Sequence, residues 1–173
     1  MLTYRQGLNA DIDKIVTLVD SAYRGDSSRA GWTTEADFID GQRTERQEII
    51  DILARPASTI LLCEDDGQLV ATVQLNKSGD GAYLGMFAVD PQRQATGLGI
   101  KLLDQAESFV QEEWSSECMR MLVISIRKEL ISWYQRHGYN KTGKTKPFPY
   151  GETRFGIPKR DDLVLEILEK RFI

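Results

Sequence analysis

A strand, a glycine-bearing turn, a helix and a second strand succeed one another in the middle of this chain. That order constrains the fold more than any other feature. The apolar run 82–89 leads into Gln94-Ala95-Thr96-Gly97-Leu98-Gly99, which opens a helical pattern over 100–110 and on to about 113. The run 119–126, Met-Arg-Met-Leu-Val-Ile-Ser-Ile, then has the length and near-continuous apolarity of a strand buried on both faces. A strand–helix–strand crossover within one sheet makes the two strands parallel. Where the helix begins, several backbone N–H groups have no partner inside it, and the positive end of its dipole stands beside them. Such a turn is a natural seat for a phosphate or pyrophosphate. Gly97 and Gly99, lacking Cβ, let the backbone approach such a group closely.

The flanking segments complete a mixed pattern. Residues 2–7 read as a strand. In 10–23, Ile12, Ile15, Val16 and Val19 share one helical face, with Asn9 as the expected N-cap. Segment 24–43 is polar, with Trp32 and Phe38 as apolar anchors and a short helix expected over 34–40. Thr44-Glu45-Arg46-Gln47 reads as a capping box for a helix to Ala54, which Arg55-Pro56 ends. Runs 58–64 and 68–75, joined by Asp65-Asp66-Gly67, predict a hairpin, and 77–81 a further turn. Residues 128–137 form a short helix that Gly138 stops at the C′ position. Strands follow at 139–145 and 163–169. Pro147, Pro149 and Pro158 keep the 147–162 loop out of strand interiors, since each lacks an N–H to donate. The expected fold class is therefore α/β, a single mixed central sheet flanked by helices, and 173 residues predict one domain.

Charge and residue counts exclude several functions. With 22 Lys+Arg against 26 Asp+Glu, the net charge of −4 argues against nucleic acid as a partner. Lys141-Thr142-Gly143-Lys144-Thr145-Lys146 is read as a solvated strand edge, with a local basic patch as the other reading. No apolar run reaches the roughly 18 residues of a membrane span, and the N-terminus lacks a signal-cleavage pattern. Cys63 and Cys118 stand far apart, as buried reduced thiols would. These features predict a cytoplasmic protein. His137 is the only histidine, which rules out metal sites built on several His ligands, so no metal is expected. A Ser-His-Asp triad would have to use His137, and no Gly-x-Ser-x-Gly turn supplies its nucleophile. Residues Gly138 to Thr145 spell the P-loop pattern letter for letter. A working P-loop follows a strand and opens a helix, whereas this stretch follows a helix and leads to Pro147 and Pro149.

The central motif, Val89-Asp90-Pro91-Gln92-Arg93-Gln94-Ala95-Thr96-Gly97-Leu98-Gly99-Ile100, resembles the acetyl-CoA signature of the GCN5-related N-acetyltransferase superfamily. Trp133-Tyr134-Gln135-Arg136-His137-Gly138-Tyr139 resembles the same superfamily's aromatic-Tyr-x-x-x-Gly-aromatic segment. The resemblance covers nearly the whole chain in element order. One departure is Arg127, where the family often has an Asn seven places before the tyrosine.

The resemblance implies an acetyl-CoA-dependent N-acetyltransferase acting on a primary amine of a small-molecule acceptor, with acetyl-CoA as donor. It implies that strands 82–89 and 119–126 splay to admit the pantetheine arm beside backbone groups of Phe87, Ala88 and Val89. N–H groups of Gln94, Ala95, Thr96, Gly97, Leu98, Gly99 and Ile100 would hold the pyrophosphate. Tyr134 would be the general acid to the departing thiolate, and an N–H within 87–89 the oxyanion donor. Strand 82–88 carries no carboxylate to serve as base, and Glu35, Asp37 and Asp40 are read as a base, an amine seat or a solvated helix face. The acceptor would sit among segment 24–43, the strand end near Met86 and the 147–162 loop, read by Trp32, Tyr83, Tyr150 and Arg154. A monomer or homodimer is expected. A non-catalytic acyl-CoA-binding or sensing module is one alternative, and an acetyltransferase acting on a protein amine is another.

Overall fold

In the computed structural model, which describes residues 1–152 and 156–173, seven strands form one sheet. In chain order the elements are β1 (Leu2–Gln6), α1 (Ile12–Tyr23), α2 (Gly25–Ser28), β2 (Ile39–Asp40), α3 (Arg46–Ala54), β3 (Ser58–Asp65) and β4 (Gln68–Ser78). Then come β5 (Gly81–Val89), α4 (Leu98–Trp114), β6 (Cys118–Ile124), α5 (Lys128–Arg136), β7 (Asn140–Pro147), β8 (Ile157–Pro158) and β9 (Val164–Arg171). The sheet order is β1-β3-β4-β5-β6-β9-β7. The β5–β6 pair is parallel, as the crossover through α4 demands, and the other described pairs are antiparallel. The α/β class and the mixed sheet flanked by helices are as the sequence predicts.

Both faces of the sheet are covered, and the alternation along β3 shows how. Leu61 and Cys63 pack in the cluster with Leu102, Leu103, Ala106 and Val110 of α4. Ile60 and Leu62 point the other way, to Ile12, Ile15 and Val19 of α1 and Ile49 and Ile52 of α3. The β3–β4 hairpin turns at Asp66 (φ 49°) and Gly67 (φ 82°), the two left-handed positions that match strand twist.

Strand β5 breaks its own alternation. Ala82 and Leu84 face the α4 layer, but Met86 and Ala88 face α1 and α3. Residues two apart on a regular strand share a face, so one extra residue must lie between these pairs. It does: the register with β4 shifts between Thr72↔Ala88 and Gln74↔Gly85, and Met86 adopts a left-handed φ of 43°. The bulge bends β5 away from β6. Their pairing runs through Ala82↔Met119, Tyr83↔Arg120 and Leu84↔Met121 and stops there, while the strands continue to Val89 and Ile124. The expected splay is thus present, and the bulge is its cause.

Several local expectations need correction. Segment 34–40 is not a helix; its end forms β2, which pairs with β8 (Ile39↔Pro158, Asp40↔Ile157), while a short helix, α2, lies earlier. Lys159 N–H also donates to the Phe38 carbonyl, so extended pairing outcompetes a lone helical turn. The capping box does not form: Glu45 is the N-cap of α3, and the Thr44 hydroxyl donates to Glu48 at 2.7 Å. Asn9 does not cap α1 either. A short 3-10 turn precedes the helix, and Asp11 accepts the Leu8 N–H at 2.8 Å. Strand β6 is not covered throughout, because Leu122 is 39% exposed where β5 has departed. The P-loop spelling runs from Gly138, after α5, into the exposed edge strand β7, with Gly143 in a register shift and no helix after it among the described residues. Pro147 ends that edge strand and Pro158 sits in the two-residue β8, positions where a missing donor costs nothing. Both cysteines are buried free thiols. No helix among the described residues is long and apolar enough to cross a membrane.

Candidate active site

The gap between β5 and β6 opens on two sides, and a cleft lies on each. The first, of about 680 Å³, runs from the glycine turn to α5. Its floor follows from the turn's backbone. Ala95 (φ 63°) and Gly97 (φ 85°) both take left-handed conformations, which turn successive amides toward one concavity. The 17-residue α4 begins at Leu98 with no side-chain cap and no acidic residue in its first turn. The amides of Leu98, Gly99 and Ile100 thus start a long helix with no cap or acidic side chain among the described residues to neutralise them. Lys128, Arg136 and Arg127 line the same cleft against one carboxylate, Glu129. A Cβ built on Gly97 would meet open space, and one on Gly99 would stand 3.7 Å from Phe87 and Trp133. These residues fit a diphosphate with an extended arm.

Gln94 has another task besides the turn. Its Oε1 accepts the backbone N–H groups of Trp32 and Thr33 at 2.8 and 3.3 Å, and its Nε2 donates to Thr33 Oγ1 at 2.8 Å and the Val89 carbonyl at 3.1 Å. The side chain therefore clips the α2–β2 loop to the end of β5. Gly31 makes this possible, since a Cβ there would fall 2.3 Å from the Gln94 Oε1. The clip brings Trp32 into the first cleft beside the glycine turn, and not to the acceptor position expected for it, with its ring 6.4 Å from Trp133. Of the other residues expected here, Phe87, Val89, Ala95, Gly97, Gly99 and Ile100 line the cleft. Ala88 and Leu98 bury their side chains in the core. Thr96 points its hydroxyl to the Arg93 carbonyl at 2.6 Å.

The second cleft, of about 450 Å³, lies across the gap, and five residues line both: Tyr23, Phe87, Arg127, Leu130 and Tyr134. Tyr134 is 4% exposed, and burial, reinforced by the nearby Tyr23, pushes its hydroxyl far above the usual phenol range. That hydroxyl has no hydrogen-bond partner among the described residues. Tyr23 is its counterpart from α1, donating to the Phe87 carbonyl at 2.7 Å. Sequence reasoning missed Tyr23, although it continues the apolar stripe of α1 four residues after Val19. His137 packs on Trp133 at 4.5 Å, at the far end of α5, and lines neither cleft.

Arg127 ties the site together. Its guanidinium donates to Glu35 at 3.1 Å and to the Thr33 carbonyl. Arg24 holds the other Glu35 oxygen at 3.0–3.1 Å and donates to the Gln42 carbonyl at 2.8 Å. Glu35, 5% exposed, is therefore a buried bridge between two arginines and not part of a solvated face. Asp37 and Asp40 are exposed and pair with Arg29 and Lys159. Tyr83 lines the second cleft under Lys146 Nζ, 5.8 Å from the ring centroid. Tyr150 lines neither cleft; its hydroxyl donates to the Arg160 carbonyl and accepts the Leu163 N–H, so it fastens its own loop. Arg154 lies outside the described residues. Asn76, Glu48, Arg43 and Leu122 are cleft residues that sequence reasoning did not single out.

Comparison with known proteins agrees with this geometry. The fold matches an N-acetyltransferase from Staphylococcus aureus Mu50 at a TM-score of 0.72 and 14% identity, covering 99% of this chain and 97% of that one. It matches the ribosomal-protein-S18-alanine N-acetyltransferase from Escherichia coli at 0.72 and 16%, covering 99% and 94%. A third match is the PaiA N-acetyltransferase from Thermoplasma acidophilum in complex with coenzyme A, at 0.67 and 14%, covering 99% of each. At such identities these likenesses speak for the fold alone. A search of curated protein sequences finds no match. The sequence model of the acetyltransferase (GNAT) family matches residues 18–139, which span the glycine turn, the splayed strands and both site tyrosines, and the chain belongs to that family.

Proposed function

We propose that this protein transfers the acetyl group of acetyl-CoA to a primary amine of a small molecule, with Tyr134 as the acid at the departing sulfur. The observation that carries this reading is that two clefts on opposite sides of the β5–β6 gap meet at Tyr134. A donor and an acceptor entering from the two sides can approach in line there, and such positioning lowers the barrier to acyl transfer. The uncapped turn before α4, faced by the cations at α5, suits the diphosphate of the coenzyme. That the Thermoplasma neighbour was solved with coenzyme A supports coenzyme A as the ligand. The β2–β8 pair ties the loop before β9 across the acceptor side, which favours a small acceptor over a protein chain.

Acetyl-CoA supplies an activated thioester: the amine nitrogen forms a bond to its carbonyl carbon, the C–S bond breaks, and the sulfur leaves with the electron pair. The chain's own groups do the rest. Backbone N–H groups in 87–89 stand where negative charge builds on the carbonyl oxygen. Tyr134 meets the sulfur. Because burial raises its pKa, Tyr134 stays protonated throughout the working range and always presents an O–H. A thiolate in the same dry cleft is also a stronger base than in water, so the raised phenol remains matched to it. The proton lost by the attacking amine replaces the one given by Tyr134.

The test is Tyr134→Phe. Turnover is expected to fall about 10²-fold or more, the usual worth of a positioned acid, while calorimetric affinity for coenzyme A changes less than about threefold. Thiol release at the wild-type rate would remove Tyr134 from the mechanism. Coenzyme binding without thiol release over a broad amine panel would point to a sensing module.

A further inference from the structure

The acceptor cleft holds more positive charge than its own carboxylates neutralise. Arg24, Arg43, Arg127 and Lys146 line it against Glu35 and Glu48. Glu35 is already shared between Arg24 and Arg127. Arg43 and Lys146 are the cations left over; Lys146 is exposed above the Tyr83 ring, so Arg43 is the one held inside. Its backbone N–H is fixed on Asp20 at 2.7 Å, and its guanidinium stands over the Tyr23 ring, 5.6 Å from the centroid. It is half-buried, and the guanidinium has no hydrogen bond or ion pair among the described residues. Glu48 does not neutralise it, since that carboxylate takes the Thr44 hydroxyl and forms no ion pair among the described residues. The charge is felt nearby: burial first, then Arg43, pushes the Arg24 guanidinium below its ordinary range, against the pull of Glu35.

A half-buried guanidinium beside other cations is costly unless an anion completes it. Its planar fork matches a carboxylate with two parallel hydrogen bonds. The position also sets a length. Arg43 stands over the Tyr23 ring, and the hydroxyl of that same ring reaches the Phe87 carbonyl at the junction of the two clefts. A single aromatic ring therefore stands between this cation and the reaction point, which leaves room for an acceptor of amino-acid size.

We infer that the acceptor is a carboxylate-bearing amine of amino-acid size, and that Arg43 holds its carboxylate while its amine reaches the junction. This rests on the acyl-transfer reading above and deepens it.

Binding and turnover test the two readings separately. Protein saturated with coenzyme A is titrated by calorimetry with the twenty N-acetyl amino acids and with their carboxamides, which differ only in the charge. At least one carboxylate is expected to bind roughly tenfold or more tighter than its amide, the scale of one charge-assisted pair. Arg43→Met should abolish that preference, and Arg43→Lys should restore part of it, with melting temperatures followed in parallel. Equal binding of acid and amide across the set overturns the inference, as does a preference that survives Arg43→Met. If the acids bind selectively but no amino acid drives thiol release from acetyl-CoA, the acyl-transfer reading fails while the anion site stands. If thiol is released equally well with amines lacking a carboxylate, the inference fails and acyl transfer stands.

Discussion

Gly31 and Gln94 act as one unit at the scale of single residues. The glycine leaves the space that the Gln94 amide occupies, and that amide then makes four hydrogen bonds across two loops. Gly31→Ala puts a methyl group against the end of a flexible side chain, so the glutamine moves and the backbone stays. Both Gly31→Ala and Gln94→Ala should therefore free Trp32 from the first cleft. Each is expected to weaken coenzyme A binding about fivefold to tenfold and to cost about 1 kcal/mol of stability, the net worth of a partly exposed hydrogen-bond cluster. The double variant should be no worse than either single one, a coupling that a double-mutant cycle in urea and calorimetry reads directly. Additive losses would show that Gln94 keeps its bonds when Gly31 is filled. The signature motif marks Gln94 in the sequence as part of the turn. Its grip on residues 32 and 33 joins positions some sixty apart, and no local pattern encodes such a pair.

Among the elements, the regular ones were legible and the irregular ones were not. Apolar spacing locates α1, α3, α4, α5 and the sheet strands other than the exposed β7, because each of these must bury a face, and burial writes its period into the sequence. Strand β2 and the bulge at Met86 bury nothing periodic. They arise from pairing with β8 and from a register shift against β4, which depend on distant partners. The start of α1 is a similar case. Asp11, which no cap pattern picks out, accepts both Arg5 nitrogens at 2.8 and 2.9 Å and the Leu8 N–H at 2.8 Å, fastening β1 to the turn before α1. Its hydrogen bonds with Arg5 hold its pKa down at about 2. The folded value lies below the unfolded one, so the carboxylate stabilises the protein above about pH 4, and that stability is lost as pH falls through the folded value. Arg5 is 39% exposed, and screening limits the effect to about 1–2 kcal/mol. Asp11→Asn should be less stable than wild type by that amount at pH 7 in urea unfolding. The gap should narrow steadily from pH 4 downward as wild-type Asp11 is protonated. A gap independent of pH would mean that Asp11 acts through packing instead.

On the scale of the whole molecule, charge is unevenly spent. The chain carries a net −4, yet both clefts are lined by excess cations. A polyanionic donor therefore meets a repelling body with an attracting mouth. In such a case the local field at the cleft sets the encounter rate, and salt weakens it. Lys128 and Arg136 stand on α5 at the rim of the first cleft, exposed and without ion pairs among the described residues. Reversing them should harm neither folding nor Tyr134. Lys128→Glu and Arg136→Glu are each expected to raise the coenzyme KM about threefold to tenfold at low ionic strength, through slower association. At about 1 M salt the Debye length shrinks to roughly 3 Å and the difference should fall within about twofold. The melting temperature without ligand should not move by more than about 2 °C, because exposed, unpaired charges contribute little to the folded state. Stopped-flow association of coenzyme A across a salt series separates the cases. Rates equal to wild type at every ionic strength would place the phosphates away from α5. Slowing that persists at high salt would mean that a side chain touches the bound coenzyme and does not merely guide it in.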